Sequence, residues 1–228
     1  MEENNQIIGK WLEEFDVDVY GIGSMSYYDK DLIQIDNAIK SKLPFAISFG
    51  LVLSKAVIDT LTDGPTLLYL NHYRQLNYRL DMIGYLLARK IEKRGYNALP
   101  FAASQLVDWK NQKAHISHKK IGVIAGVGWV GRNNLLIHPV YGAQVRYNTI
   151  LTDMPLIAFD FGSDDISYFS CGDCHACKDV CPAFAIDDDP YKFDHIACYN
   201  MLTTFKNKRN LGHHICGLCI KACSGKRK

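Results

Sequence analysis

Eight cysteines lie between Cys171 and Cys223 of a 228-residue chain, and none lies elsewhere. Cys171, Cys174, Cys177 and Cys181 follow the spacing C-x2-C-x2-C-x3-C, with Pro182 next. This is a bacterial pattern for iron–sulfur ligation by thiolates. Cys198, Cys216, Cys219 and Cys223 complete the set. Eight thiolates suit two 4Fe–4S clusters with four ligands each. In two-cluster proteins the fourth cysteine of such a run ligates the other cluster. Cys171, Cys174, Cys177 and Cys223 are therefore expected to hold one cluster, and Cys181, Cys198, Cys216 and Cys219 the other. Two rival readings are weaker. A disulfide framework belongs to short secreted chains, and two zinc sites need C-x2-C pairs separated by a finger-length spacer.

The elements that must position these thiols are legible from apolar periodicity. Ile7, Ile8, Trp11, Leu12 and Phe15 give residues 5–15 a helical face. Residues 16–23 read as extended and 32–39 as a short helix. The apolar density of 45–53 marks a buried strand. Residues 66–94 form the longest predicted helix, which carries Tyr69, Asn71, His72, Tyr73, Arg74, Asn77 and Tyr78. Either its tyrosines are half-buried with wet tips, or His72, Tyr73 and Asn77 stand near a cofactor. A short strand follows Gly95, and Ser117 is placed to cap a helix opening near 114–120. Gly126, Gly128 and Gly131 permit sharp bends or close approach of a ligand to the backbone. Their G-x-G-x-x-G spacing matches a dinucleotide fingerprint, but that fingerprint needs a strand before it and a helix after it. Here a helix precedes and strands follow, so a Rossmann site is excluded. Residues 134–137 and 144–151 read as a strand pair around the turn at 138–142.

Charge and composition narrow the function classes. A net charge of +2 does not suggest a nucleic-acid binder. Hydrophobic and charged fractions of 48% and 22% are ordinary for a globular protein. No apolar run approaches the roughly 18 residues of a membrane span. The opening Met1-Glu-Glu-Asn-Asn lacks the basic start of a secretory signal. Reduced, cluster-ligating cysteines point to a cytoplasmic protein in a low-oxygen setting. The basic residues at 225–228 read as a solvated end.

Two stretches together resemble epoxyqueuosine reductase and its relatives. One is Ala125-Gly-Val-Gly-Trp-Val-Gly-Arg-Asn-Asn-Leu-Leu-Ile-His-Pro-Val-Tyr-Gly142, followed by Ile-Leu-Thr-Asp at 150–153. The other is the cysteine segment, with Cys198-Tyr-Asn-Met-Leu-Thr203. The likeness runs over about 69–223. It implies an α/β (α+β) fold: a nitroreductase-like corrinoid-binding core over 1–160, then a ferredoxin-like double-cluster module over 161–228. It also implies that two 4Fe–4S clusters feed electrons to a cobalamin, an arrangement shared by corrinoid reductive dehalogenases. His72, Gly126, Gly128, Trp129, Gly131, Asn133, His138, Tyr141 and Arg146 are the expected corrinoid-pocket residues. His115, His118 and Tyr73 are the expected proton donors, histidine because its pKa lies near neutrality. The bland readings are a solvated helix start for His115 and His118, and a core aromatic for Trp129.

Three departures from the family shape the expected substrate. The stretch 112–118 (Gln-Lys-Ala-His-Ile-Ser-His) lacks the family's proton-donating carboxylate. Ser224, not proline, follows Cys223. The chain is expected to lack the family's helical-repeat domain. On this reading epoxyqueuosine in tRNA is not the expected substrate, and a small molecule or a corrinoid protein is expected instead. Reduced ferredoxin or flavodoxin is the expected electron donor, with no membrane partner. The rival functions are a non-enzymatic two-cluster electron carrier and a flavin-dependent reductase on the same core.

Overall fold

A computed structural model describes residues 1–109, 111–160, 171–223 and 225. The expected start of the cluster module after 161–164 and most of the basic tail lie outside the described residues. In chain order the elements are α1 (Glu2–Glu14), β1 (Val19–Ser24), α2 (Asn37–Lys40), β2 (Phe45–Val52), α3 (Lys55–Asp59), α4 (Leu67–Glu92) and β3 (Ala98–Pro100). Then come α5 (His118–Ile124), β4 (Trp129–Val130), β5 (Leu136–Ile137), β6 (Val145–Thr152), α6 (Ala176–Asp179), α7 (His195–Lys208) and α8 (Leu218–Ala222).

The chain divides into two compact units. The first takes Met1–Leu51, Asn77–Val127 and the described part of 146–166. It holds most of a four-stranded sheet of order β1-β2-β6-β3. β1 and β2 run antiparallel, with Val19 opposite Gly50 and Ser24 opposite Phe45. β3 and β6 also run antiparallel, with Ala98 opposite Thr152. The two central strands, β2 and β6, are buried along nearly their whole length, and β2 shows the nearly continuous apolar run such burial favours. On α4, Leu80, Ile83, Leu87 and Ile91 recur at helical spacing and are fully buried. Polar residues within β6 are satisfied locally: Asn148 Nδ2 donates to Leu80 O at 3.2 Å, and Thr152 Oγ1 to Asn97 O at 2.7 Å.

The second unit takes Val52–Leu76, Gly128–Val145 and the described residues from Cys171 onward. Leu53, Ile58, Leu61, Tyr69 and Leu70 pack with Leu211, Ile215 and Leu218 in one core. Trp129, Ile137 and Ala143 form another, against Cys171 and Cys223. The cysteine segment is thus packed with two earlier pieces of chain, whereas the sequence reading divides the chain once, at 160/161.

The long helix, the strand at 45–53, the strand after Gly95 and the Ser117 cap all appear; Ser117 Oγ accepts from Lys120 N–H. Two expectations are corrected. The helix predicted over 32–39 is only the single turn α2, because Gln34 adopts φ 58° and the helix starts at its cap, Asp36, whose carboxylate accepts from Ala38 N–H. The strand pair predicted from 134–137 and 144–151 does not form. β5 pairs with β4, Trp129 opposite Ile137, and β6 joins the main sheet. Alternation marks a strand but not its partner.

Candidate metal centre

All eight thiols are free, and none is fully exposed. Their mutual electrostatics sort them into two sets. Cys177 feels Cys223, Cys171 and Cys174, while Cys223 feels Cys171 and Cys174. Cys198 feels Cys181 and Cys216. Cys219 feels Cys216, Cys198 and Cys181, and also Cys177 across the sets. Burial, reinforced by these neighbours, pushes the Cys177 and Cys198 thiols up to about 11 and Cys219 well above the usual thiol range. Four gathered, half-buried thiols do not ionise together unaided; a cationic metal core reverses that balance. Among the described residues no three His, Cys, Asp or Glu ligands converge on one point. Thiolate sulfur in gathered sets is the donor chemistry that iron–sulfur clusters take, each sulfur on a different iron.

Short elements hold the sulfurs. Cys174 N–H donates to Cys171 O at 3.1 Å, and Cys181 N–H to Lys178 O at 3.1 Å, so the first run coils around α6. Cys198 rides on α7, whose cap Asp194 accepts from Ala197 N–H at 2.8 Å. Gly217, at φ 93°, turns the chain into α8 between Cys216 and Cys219. A Cβ there would also stand 2.7 Å from the Tyr69 ring.

The first set surrounds a cavity of about 40 Å³ lined by Trp129, Arg132, Asn133, Ile137, Cys171, Cys174, Ala176, Cys177, Cys223 and Gly225. Arg132 is 7% exposed. Its guanidinium donates to Gly172 O at 2.8 Å, Cys174 O at 2.9 Å and Asp188 O at 3.1 Å. It clamps the cysteine loop by three carbonyls. Sequence reasoning passed over Arg132; its signal was a charged residue inside a glycine-rich, apolar stretch.

The glycines of that stretch face the chain's own atoms. A Cβ on Gly126 would stand 2.5 Å from the Phe159 ring, on Gly128 1.9 Å from Ile137 O, and on Gly131 2.6 Å from the Ile137 side chain. His72 Nε2 accepts from Ser54 N–H at 2.9 Å, and burial lowers its pKa. Tyr73 lies beside the His213 ring, centroids 5.5 Å apart. His138 Nδ1 accepts from Val140 N–H and Tyr141 N–H, and its ring stacks on Tyr141 at 5.1 Å.

In the first unit a polar network joins α4, β6 and the chain near Ala102. Arg146 Nε and Nη2 donate to Asn77 Oδ1 at 3.1 and 3.0 Å, and Nη2 also to Ala103 O. Asp81, absent from the sequence reading, accepts from Ala103 N–H at 2.7 Å. His118 directs Nδ1 to Thr149 Oγ1 at 2.8 Å and Nε2 to Ala102 O at 2.9 Å. The carbonyl must accept, so Nε2 carries the proton, and burial lowers the pKa to about 4. His115 Nδ1 contacts Ile33 O at 2.8 Å. Both histidines line a small cavity with Phe101 and Gln105.

No family model matches the chain. It is 28% identical over 165 residues to an epoxyqueuosine reductase of Synechococcus sp. (strain CC9605), a match covering 67% of this chain and 46% of that one. It is 35% identical over 104 residues to the epoxyqueuosine reductase of Pseudomonas aeruginosa, covering 46% and 26%. Among solved structures, a reductive dehalogenase described in connection with B12-dependent dehalogenation superposes with a TM-score of 0.72 at 20% identity, covering 96% of this chain and 31% of that one. Epoxyqueuosine reductase from Streptococcus thermophilus gives 0.61 at 18% identity, covering 98% and 66%. The matches span less than half the length of these curated relatives. The fold is a mixed α/β fold of the kind found in reductive dehalogenases and epoxyqueuosine reductases, and the relatives are oxidoreductases by name. In sequence the chain is similar to epoxyqueuosine reductases, and in fold to these and to reductive dehalogenases.

Proposed function

We propose that this chain is a corrinoid-dependent iron–sulfur reductase in which two 4Fe–4S clusters relay electrons to a cobalamin. The observation that carries the reading is the sorting of eight half-buried thiols into two sets of four, with Cys223 joining Cys171, Cys174 and Cys177. Cys181, Cys198, Cys216 and Cys219 hold the second cluster. Cys177 and Cys219 adjoin across the sets, which suits one-electron transfer between clusters. The electrons come from an external donor of the reduced ferredoxin or flavodoxin class.

The corrinoid is supported by the relatives, one of which is described in terms of B12-dependent dehalogenation. A bound cobalamin supplies, as cobalt(I), a strong nucleophile or electron donor; the protein supplies position and exclusion of water. The spaces beside Gly126, Gly128 and Gly131 are filled from within, so side chains such as Tyr73 and Tyr141 are the candidates for lining it. His115 and Tyr73 are the candidate proton donors, since both ring nitrogens of His118 are engaged. The substrate on this reading is a small molecule or a corrinoid protein. Epoxyqueuosine reductase has been solved with an epoxyqueuosine-modified tRNA-Tyr stem loop, but residues 112–118 here carry no carboxylate. The test is a visible spectrum of anaerobically purified protein before and after cobalamin is added. Cluster absorbance plus a base-off cobalamin spectrum supports the reading. Clusters with no corrinoid uptake favour an electron carrier, and a bound flavin favours a flavin-dependent reductase.

A further inference from the structure

The cavity inside the first cysteine set is walled on one side by residues that the likeness to relatives assigns to a different cofactor. Asn133 is 3% exposed. Its Oδ1 accepts from Leu135 N–H at 3.3 Å. A backbone N–H can only donate, so this contact fixes the side-chain oxygen and turns the NH2 group the other way. That Nδ2 is buried and has no partner among the described residues. A buried amide donor left unpaired is costly, and such groups call for an explanation. The same cavity is lined by Cys171, Cys174, Cys177 and Cys223, whose sulfurs can accept. Beside Asn133, Arg132 brings a buried cation to the same wall, held by the carbonyls of Gly172, Cys174 and Asp188.

We propose that Asn133 and Arg132 form the outer shell of the cluster held by Cys171, Cys174, Cys177 and Cys223, Asn133 donating from Nδ2 to one of its sulfurs. The inference rests on the two-cluster reading. It assigns these two residues to potential setting and not to a corrinoid pocket. A cluster that accepts one electron from the donor gains one negative charge. Hydrogen bonds to its sulfurs and a neighbouring cation stabilise that reduced form and raise the reduction potential. Both are positioning residues, since neither is an iron ligand.

The experiment uses the full chain, purified anaerobically, with each cluster's signal assigned by difference against Cys177→Ala. Asn133→Asp keeps the acceptor for Leu135 N–H and removes the donor; Arg132→Gln removes the cation. In a potentiometric titration followed by EPR, each should lower the midpoint of the first cluster and leave the second unchanged. For Asn133→Asp the fall should correspond to a reduction equilibrium at least roughly tenfold less favourable, since the lost hydrogen bond and the added carboxylate charge both disfavour the extra electron. Unchanged potentials with full iron content overturn the proposal. A second measurement avoids variants altogether. In wild-type protein with 15N-labelled asparagine side chains, the reduced first cluster should show a hyperfine coupling to a side-chain amide nitrogen, and Asn133→Asp should abolish it. Two clusters without that coupling overturn this inference alone. Wild-type protein that assembles no cluster overturns the two-cluster reading, and this inference with it.

Discussion

Replacing Gly128 by alanine tests the packing that frames the first cysteine set. The added Cβ would lie 1.9 Å from Ile137 O and 2.8 Å from Ile137 C. The obstruction is main chain, so no side chain can swing away. Ordinary van der Waals contact begins at 3.4 Å, so β5 must retreat by about 1.5 Å, enough to spoil hydrogen-bond geometry across a two-residue ladder. That ladder pairs Trp129 with Ile137 and Val130 with Leu136; Ile137 is 1% exposed and Trp129 5%. We expect a loss of about 3 kcal/mol, the upper end of the overpacking range. With a urea slope of about 2–3 kcal/mol/M, the midpoint should fall by roughly 1 M. Trp129 and Ile137 line the cavity inside the first cysteine set, so on the two-cluster reading iron content and cluster absorbance should fall with it. The control is Gly212→Ala: its φ is 63° and nothing stands within 4 Å of the new Cβ, so only backbone strain of about 1–2 kcal/mol applies. If Gly128→Ala unfolds within about 0.5 kcal/mol of wild type and holds full iron, the close approach has no energetic weight. Gly128 would then be kept for a ligand and not for the hairpin.

Three further outcomes are expected. Cys177→Ala and Cys223→Ala should each remove the same cluster and lower iron towards half, while Cys198→Ala removes the other; EPR assigning Cys223 and Cys219 to one cluster would refute the crossed scheme. His118 has a folded pKa of about 4 against an ordinary 6.5, so the unfolded chain binds more protons between those values. Its stabilising contribution is complete above 6.5 and is lost as pH falls through about 4, on the order of 2 kcal/mol for a residue with a partly exposed edge. Urea midpoints from pH 7 to 4 should therefore decline less steeply for His118→Gln than for wild type. With a net charge of +2, binding to tRNA should be weak and salt-sensitive; tight binding at physiological salt in a filter assay would restore the tRNA-modifying reading.

What the sequence reveals and what it conceals separate along a physical line. The cysteine run is legible because its spacing is local, and Cys171, Cys174 and Cys177 do line one cavity, joined there by the distant Cys223. The long helix and the central strand at 45–53 are legible because burial imposes a period, or an unbroken apolar run, on a single segment. Everything that depends on a distant partner is hidden. His72 reads as a cofactor residue on a polar helix face, yet its ring nitrogen accepts from Ser54 N–H, 18 residues away. His138 reads likewise, but serves the turn that follows it. Residues 134–137 find β4, not the next strand, because pairing is decided by the core that Trp129 and Ile137 share. The stretch from Gly126 to Asn133 is the sharpest instance. Its glycines invite a ligand against bare backbone, but their spaces are taken by Phe159 and Ile137. What the stretch delivers instead is Arg132 on the carbonyls of Gly172 and Cys174, about 40 residues later. A motif marks that a stretch is constrained. Only the partners, which the sequence does not display, say what constrains it.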